Sequence, residues 1–312
     1  LMEASGIADR RAGAEDVAFR LGPRLNAAGR IGHGSLSVEL LTAGSRERAR
    51  SLAQQLNALN TQRRQLEKAV LQEIDAQIDR RPELLARCSL VFAGSGWHEG
   101  VIGVVASRIM ERCYRPVVVI AVNGGHGRGS ARGIPGMDLY ACLADCKSRL
   151  QELGGHPQAA GLRIAADQIP AFRAAFEESV GRACRPELFT PVLPIDAVLS
   201  LDDISEPLAD QLERLAPYGA GNPEPLFLAR DVLVVSCARV GAGHRRLLLR
   251  QAASRGGPCL RAIQFNAAPE EEAPARFERM AFHLRWNHWN GSRSLQAVVV
   301  GTQPTPSAAM TA

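Results

Sequence analysis

The sequence contains no apolar run approaching the ~18 residues that a membrane-spanning helix requires, and with 46% hydrophobic residues it is predicted to be a globular, non-membrane protein. Its opening stretch, LMEASGIADRR, has neither a basic leader nor an apolar core, so no secretory signal is predicted there, and the leading leucine suggests the middle of a longer protein. The seven cysteines (Cys88, Cys113, Cys142, Cys146, Cys184, Cys237, Cys259) are odd in number, scattered, and without a C-x-x-C pair. That pattern argues against a disulfide framework and a thiolate zinc site, and favours reduced thiols in a cytoplasmic setting. Neither sign of charge dominates: 37 Lys and Arg stand against 32 Asp and Glu, with a pI near 9.0. Such a bias is compatible with a polyanionic partner and too mild to identify one. Arginine supplies most of the positive charge, and its planar fork suits phosphate better than an ammonium does.

What is present divides the 312 residues into about two or three domains. Between Ser45, a plausible N-cap, and about Arg80 there is no Gly or Pro, and Leu52, Leu56, Leu59, Leu66, Val70, Ile74 and Ile78 recur at helical spacing. One long amphipathic helix is predicted, roughly 50 Å in length and suited to bridging two domains. Arg63 falls within its apolar stripe and is expected to snorkel to solvent at the exposed middle of that bridge. After Pro82, CSLVFAG (88–94), GVIGVVASRIMERC (100–113), PVVVIAV (116–122), a helix near 137–153, AAGLRIA (159–165) and a helix near 167–182 alternate in the manner of an α/β layer. A boundary is expected in LAPYGAGNPEPLF, where five Gly and Pro residues break any regular element. Five strand-like runs follow (DVLVVSCARVG, HRRLLLRQA, CLRAIQFN, RMAFHLRWN, RSLQAVVVGT) and predict a small β-barrel of the oligonucleotide-binding (OB) type. The end, PTPSAAMTA, reads as a frayed tail.

Three glycine-rich clusters carry candidate chemistry: GPRLNAAGRIGHG (22–34), GGHGRGSARGIPGM (124–137) and GGHPQAAG (154–161). Backbone amides left open by glycine, a serine hydroxyl and an arginine fork together can cradle a phosphate; the ordinary alternative for each cluster is a tight loop. In LQELGGHPQAAGLRIA (150–165) a helical run is expected to end at the Gly-Gly pair, either as a plain helix C-cap or as a ligand pocket with His156 at its lip.

The order and separation of GPRLNAAGRIG, GWHEGVIGVVASRI, GSAR, GGHPQAAG, GNPEPLF and WNHWNG resemble the RecJ single-stranded-DNA exonucleases of the DHH phosphoesterase superfamily, over nearly the whole chain. The resemblance implies an α/β fold: a remnant of the DHH domain at 1–44, a connecting helix at 45–81, a DHH-associated substrate-binding domain at 82–190, an OB-type nucleic-acid-binding domain at 191–303 and a disordered tail at 304–312. It implies a 5′→3′ exonuclease of DNA repair and recombination, with single-stranded DNA as substrate and a single-strand-binding protein and a RecQ-type helicase as partners. By the same resemblance, His156 is the catalytic candidate that stabilises charge on the scissile phosphate, and Gly154 and Gly155 let the backbone approach it. Ser130 and Arg132 anchor the 5′ end, and Arg30 meets the DNA backbone. His98 and Glu99 precede a helix N-terminus, where packing is as good an account as catalysis. In the barrel, Trp286 and Trp289 are candidates for base stacking. Phe227 and Phe265 are expected in its core, and Arg245, Arg246 and Arg250 either track phosphates or form a solvated strand face.

One departure governs mechanism. The aspartates and the Asp-His-His run that bind two Mn2+ or Mg2+ ions in this family do not occur in the sequence, and such hydrolysis needs carboxylates that hold both ions. The metal site is therefore none within this chain, and the chain alone is expected to be inactive. Asp202 and Asp203 read as a solvated turn. Gly133 stands after GSAR where relatives commonly have serine, which removes one possible phosphate contact. Two other readings stay open: a non-catalytic single-strand-binding fragment, and a phosphodiesterase of the same superfamily for short oligonucleotides.

Overall fold

The structure is a computed structural model that describes residues 1–7, 12–241, 243–254, 256–267, 274–289 and 292–304, without the side chains of Trp289 and Pro304. The chain forms two compact units, Leu1–Pro191 and Val192–Ala312.

In the first unit, α1 (Ala14–Asp16) runs through a π-helical turn (Val17–Leu21) into α2 (Gly22–Ile31), and α3 (Ser35–Leu41) follows. Helix α4 spans Arg46–Arg80, and Ser45 caps it by accepting a hydrogen bond from the Arg48 N–H at 3.2 Å, as its sequence predicts. α4 lies wholly within this unit. Its N-terminal half is tied to α2 and α3, through Arg24 to Asn57 at 2.9 Å and Arg48 to Glu39 at 2.6 Å. Its C-terminal half packs on α5 (Glu99–Cys113) with Val70 and Ile74 in a common core. The seam between the halves is polar, and the expectation for Arg63 is corrected there. Arg63 does not snorkel outward: its side chain is 11% exposed and pairs at 3.3 Å with Glu67, which is 1% exposed. The long stem that could reach water is instead drawn inward by a buried carboxylate.

β1 (Leu90–Ser95) and β2 (Val117–Asn123) pair in parallel around α5. Next come β3 (His126–Arg132), α6 (Leu139–Ala144), β4 (Glu152–His156), β5 (Ala159–Ala165) and α7 (Ile169–Ala183). The sheet order is β1-β2-β3-β5-β4, antiparallel from β2 onward. One face buries Val118, Ile120, Ala131, Leu162 and Ile164 with Phe172 and Phe176 of α7. The other buries Leu90, Phe92, Val117 and Val119 beneath Val101, Val105 and Ile109 of α5.

Two expectations are corrected here. The tight-loop alternative fails for most of the 124–137 cluster: after a turn at Gly124 and Gly125 it runs as β3, a central strand. Its Gly127 and Gly129 point into the core, where a Cβ would lie 2.7 Å from Ile120 and 2.6 Å from Leu162, so tertiary packing demands the glycines that locally look like a turn. The helix expected near 137–153 is only α6, and the following residues form β4, so Gly154 and Gly155 lie within a strand rather than at a helix C-cap. Pairing with β5 outweighs the helical propensity of KSRLQEL.

In the second unit, β6 (Ala197–Val198) and α8 (Glu206–Arg214) precede a barrel of β7 (Phe227–Val240), β8 (His244–Gln251), β9 (Leu260–Gln264), β10 (Arg276–Trp289) and β11 (Ser292–Pro304). The order β10-β11-β9-β8-β7 closes through β10–β7 pairing, which leaves these five strands without a free edge, as in an OB barrel. All five strands answer to the predicted runs. The expected boundary at LAPYGAGNPEPLF falls inside this unit instead: Asn222 donates to the carbonyls of Leu215 and Pro217 and fastens the irregular segment after α8. Asp202 and Asp203 lie in a 3-10 turn, where Asp202 accepts from the Ser254 hydroxyl. Apart from Pro304, which ends β11, the tail predicted at 304–312 lies outside the described residues.

The close seat of α5 on α2 makes one substitution informative. A Cβ at Gly100 would stand 1.8 Å from the Arg30 carbonyl oxygen, which is backbone and cannot rotate away. Gly100→Ala is expected to cost about 2–3 kcal/mol of stability through overpacking, read as a lowered urea midpoint for unfolding of the chain. An unchanged midpoint would show that α2 sits elsewhere.

Candidate functional site

Residues paired across strands point to the same side of a sheet and alternate along each strand. The registers Arg132↔Ala159↔His156 and Ser130↔Gly161↔Gly154 therefore bring Arg132, Ser130, Gly161, Gly154 and His156 onto one face, the face on which α5 lies. His156, Gly154 and Gly161 are exposed there, and Ser130 and Arg132 are half-buried beside α5. Strand spacing sets Arg132 and His156 about 10 Å apart. The next row, Arg128↔Arg163↔Glu152, bounds this floor with two ion pairs, Arg128 with Glu99 at 2.9 Å and Arg163 with Glu152 at 3.3 Å.

Arg132 is the electrostatic centre. Its Nε donates to Ser107 Oγ at 3.2 Å, and its Nη1 donates to Ser130 Oγ at 3.1 Å and to the Ala131 carbonyl at 2.7 Å. Among the described residues no carboxylate pairs with it. Burial, and after it the Arg30 charge, push its pKa below the usual arginine value, as expected for a cation set beside another cation without a counter-ion. The Arg30 side chain, at the exposed end of α2, makes no hydrogen bond or ion pair among the described residues. The pair thus offers positive charge and free N–H donors to an anion.

The glycines separate into two kinds. Gly155 has φ +152°, and a Cβ there would stand 2.5 Å from Ala160 Cα, so the strand itself requires glycine. At Gly154 a Cβ would meet nothing within 4 Å, and at Gly161 only a carbonyl oxygen at 3.9 Å. Packing among the described residues does not account for glycine at these two exposed positions.

His98 and Glu99 have structural employment. His98 Nδ1 accepts from the Gly100 N–H at 3.0 Å and caps α5, and Glu99 holds Arg128. Gly133 is buried against Leu139 and Met137, so a serine there would face the core.

In the second unit the indole N–H of Trp286 donates to Asp210 at 2.9 Å, and the Arg293 guanidinium lies 3.6 Å above its ring, so one ring face is already covered. Trp289 ends β10, and its side chain lies outside the described residues. Phe227 is in the core, as expected. Phe265 is not: it is 51% exposed and meets His244 edge-on at 5.2 Å. Arg245 is 5% exposed and so cannot track a phosphate at the surface, unlike exposed Arg246 and half-buried Arg250. Both corrections have a signal in period two. Arg245 shares its strand face with buried Leu247 and Leu249, whereas Phe265 continues the outward set of Arg261 and Ile263, opposite buried Leu260 and Ala262. Sequence reasoning did not single out Ser107 of α5, Arg128 of β3 or Arg163 of β5, which border these residues only because β3 lies between β2 and β5.

Among the described residues no group of three or more His, Cys, Asp and Glu side chains could hold a metal ion, and no helix is long and apolar enough to cross a membrane.

Comparison with known proteins agrees with this architecture. Residues 86–182 match the DHHA1 domain and residues 195–301 the RecJ OB domain. The chain is 30% identical over 96% of its length to the single-stranded-DNA-specific exonuclease RecJ of Bacillus subtilis, spanning 38% of that protein. It is 34% identical over 97% of its length to RecJ of Escherichia coli, spanning 54% of it. The crystal structures of RecJ from Thermus thermophilus in complex with Mn2+ and with Mg2+ superpose with TM-scores of 0.80 and 0.77, at 31% and 29% identity. These cover 98% and 97% of this chain and 43% and 46% of those chains. With both of its domains and nearly all of its length matched in this way, the chain belongs to the RecJ family, of which it carries the C-terminal part.

Proposed function

We propose that this chain is the strand-positioning part of a 5′→3′ single-stranded-DNA exonuclease acting in DNA repair and recombination in the cytoplasm. The observation that carries the reading is the shared open face of Arg132, Ser130, Gly154 and His156, with a half-buried guanidinium that has no counter-ion among the described residues. On this reading Ser130 and Arg132, with Arg30 nearby, hold the phosphate at the 5′ end. Gly161 and Gly154 form a floor on which the sugar-phosphate backbone lies, Gly155, whose row with Ala160 belongs to the opposite face, only lets the strand take that path, and His156 donates to the oxygens of the scissile phosphate. The barrel grips nucleotides farther along the strand, with exposed Phe265 and Arg246 better placed for stacking and phosphate contact than Trp286.

The solved relatives contain Mn2+ or Mg2+, and either ion is the cofactor proposed for the intact enzyme. The described residues of this chain do not fit such an ion, since they bring no set of ligands together. Their contribution is to bind and orient the strand. A single-strand-binding protein and a RecQ-type helicase are the partners proposed for the intact enzyme.

Fluorescence anisotropy with labelled oligonucleotides tests this. The chain is expected to bind single-stranded DNA with an affinity that falls steeply as salt rises, to bind duplex DNA at least about tenfold more weakly, and to leave the strand uncut with manganese present. Equal affinity for duplex and single strand would refute strand positioning, and manganese-dependent degradation would refute the absence of catalysis in the chain alone.

A further inference from the structure

The α5 motif GWHEGVIGVVASRI has so far been assigned only its cap and its packing, yet three of its residues line the site. Gly100, Gly103 and Ser107 follow one another on a single face of α5, at helical spacing. Gly100 receives the Arg30 carbonyl, and at Gly103 a Cβ would come within 3.1 Å of both Arg132 Nη2 and Ser130 Oγ. Ser107 Oγ donates to the Gly103 carbonyl at 3.2 Å, which turns a lone pair toward Arg132 Nε, also at 3.2 Å.

Resting on the anchoring role proposed above for Arg132, we propose that Gly103 and Ser107 form the slot that aims its guanidinium at the terminal phosphate of the bound strand. Ser107 is the positioning residue. A guanidinium has five N–H donors, one on Nε and two on each terminal nitrogen. Here Nε is held by Ser107, and Nη1 is spent on Ser130 and the Ala131 carbonyl. Only Nη2, the nitrogen that lies against Gly103, keeps both of its hydrogens free among the described residues. A free arginine loses rotamer freedom when it clasps an anion, and a guanidinium held at two of its nitrogens has already lost it. The slot therefore tightens binding without touching the ligand. It also makes the contact specific for an anion at one place, the Nη2 edge, rather than for negative charge in general.

The test measures affinity of the 312-residue chain for two single strands of one sequence, one carrying a 5′-phosphate and one a 5′-hydroxyl. The unsubstituted chain is expected to prefer the phosphorylated strand. Ser107→Ala should cut that preference about fivefold to tenfold, less than the loss of a hydrogen bond made directly to the ligand, because Ser107 acts on the phosphate only through Arg132. Ser107→Thr keeps the hydroxyl and should keep the preference, whereas Ser107→Val, of the same shape as threonine, should lose it as alanine does. An ordinary back-bonded helix serine would weaken both strands alike or neither. Either of those results, in a chain that still prefers the phosphate, overturns the slot and leaves the anchoring role intact. No preference in the unsubstituted chain overturns the anchoring role and the slot with it.

Discussion

Arg132→Ala is expected to lower the affinity for 5′-phosphorylated single-stranded DNA between about tenfold and a hundredfold, the range for a charge-assisted contact to phosphate. The loss is large because Arg132 is desolvated and aimed before the ligand arrives, with Nε on Ser107 and Nη1 on Ser130. A second reading accompanies it. Each phosphate contact contributes about 0.7 to the slope of log affinity against log salt for a single strand, so the substitution should flatten that slope by about this amount. Arg132→Lys should recover little, because an ammonium cannot occupy the Ser107 and Ser130 contacts while presenting a further edge. Anisotropy titrations across a salt series decide the matter. An affinity within twofold of the unsubstituted chain, with the same slope, would remove Arg132 from the site.

The second large effect is on stability. Glu67 is buried between Arg108 Nε at 2.6 Å and Arg63 Nη1 at 3.3 Å, and both pairs act by charge rather than by aligned hydrogen bonds. Arg63 also donates to Asn60, itself 5% exposed. Burial lowers the Arg63 pKa, Glu67 opposes that shift, and Arg30, Arg108 and Arg64 add to it. Removing Glu67 therefore strands a buried cation among three others. Glu67→Ala should destabilise the first unit by about 3–5 kcal/mol, which at its size is a fall of roughly 6–20 °C in Tm. The double change Arg63→Leu with Glu67→Leu removes both charges and should recover most of the loss. Thermal melting followed by circular dichroism is the measurement, and a Glu67→Ala melt within about 2 °C of the parent would show that the pair carries no structural weight.

Glu67 also shows why part of the molecule was hidden in its sequence. Periodicity placed Leu52, Leu56, Val70 and Ile74 on the buried stripe of α4, and they are there. It could not show that Asn60, Arg63 and Glu67 continue that stripe as a buried polar seam, because burial of a charge depends on a partner brought by another element, here Arg108 of α5. Similarly, the run 126–132 lacks apolar character because its glycines make room for Ile120 and Leu162 of neighbouring strands. A strand defined by what surrounds it has little signature of its own.

Local chemistry sufficed for the long helix with its Ser45 cap, the five barrel strands, and the motif residues His156, Ser130 and Arg132 as candidates, since caps, alternation and motif spacing are properties of adjacent residues. Tertiary structure alone decided that these three residues share an open face, that Arg132 has no counter-ion among the described residues, and that Phe265 is exposed and Arg245 enclosed. The physical reason is register. Which side chains meet across a sheet depends on pairings between segments distant in the chain, and a slip of one residue would turn every one of them to the opposite face.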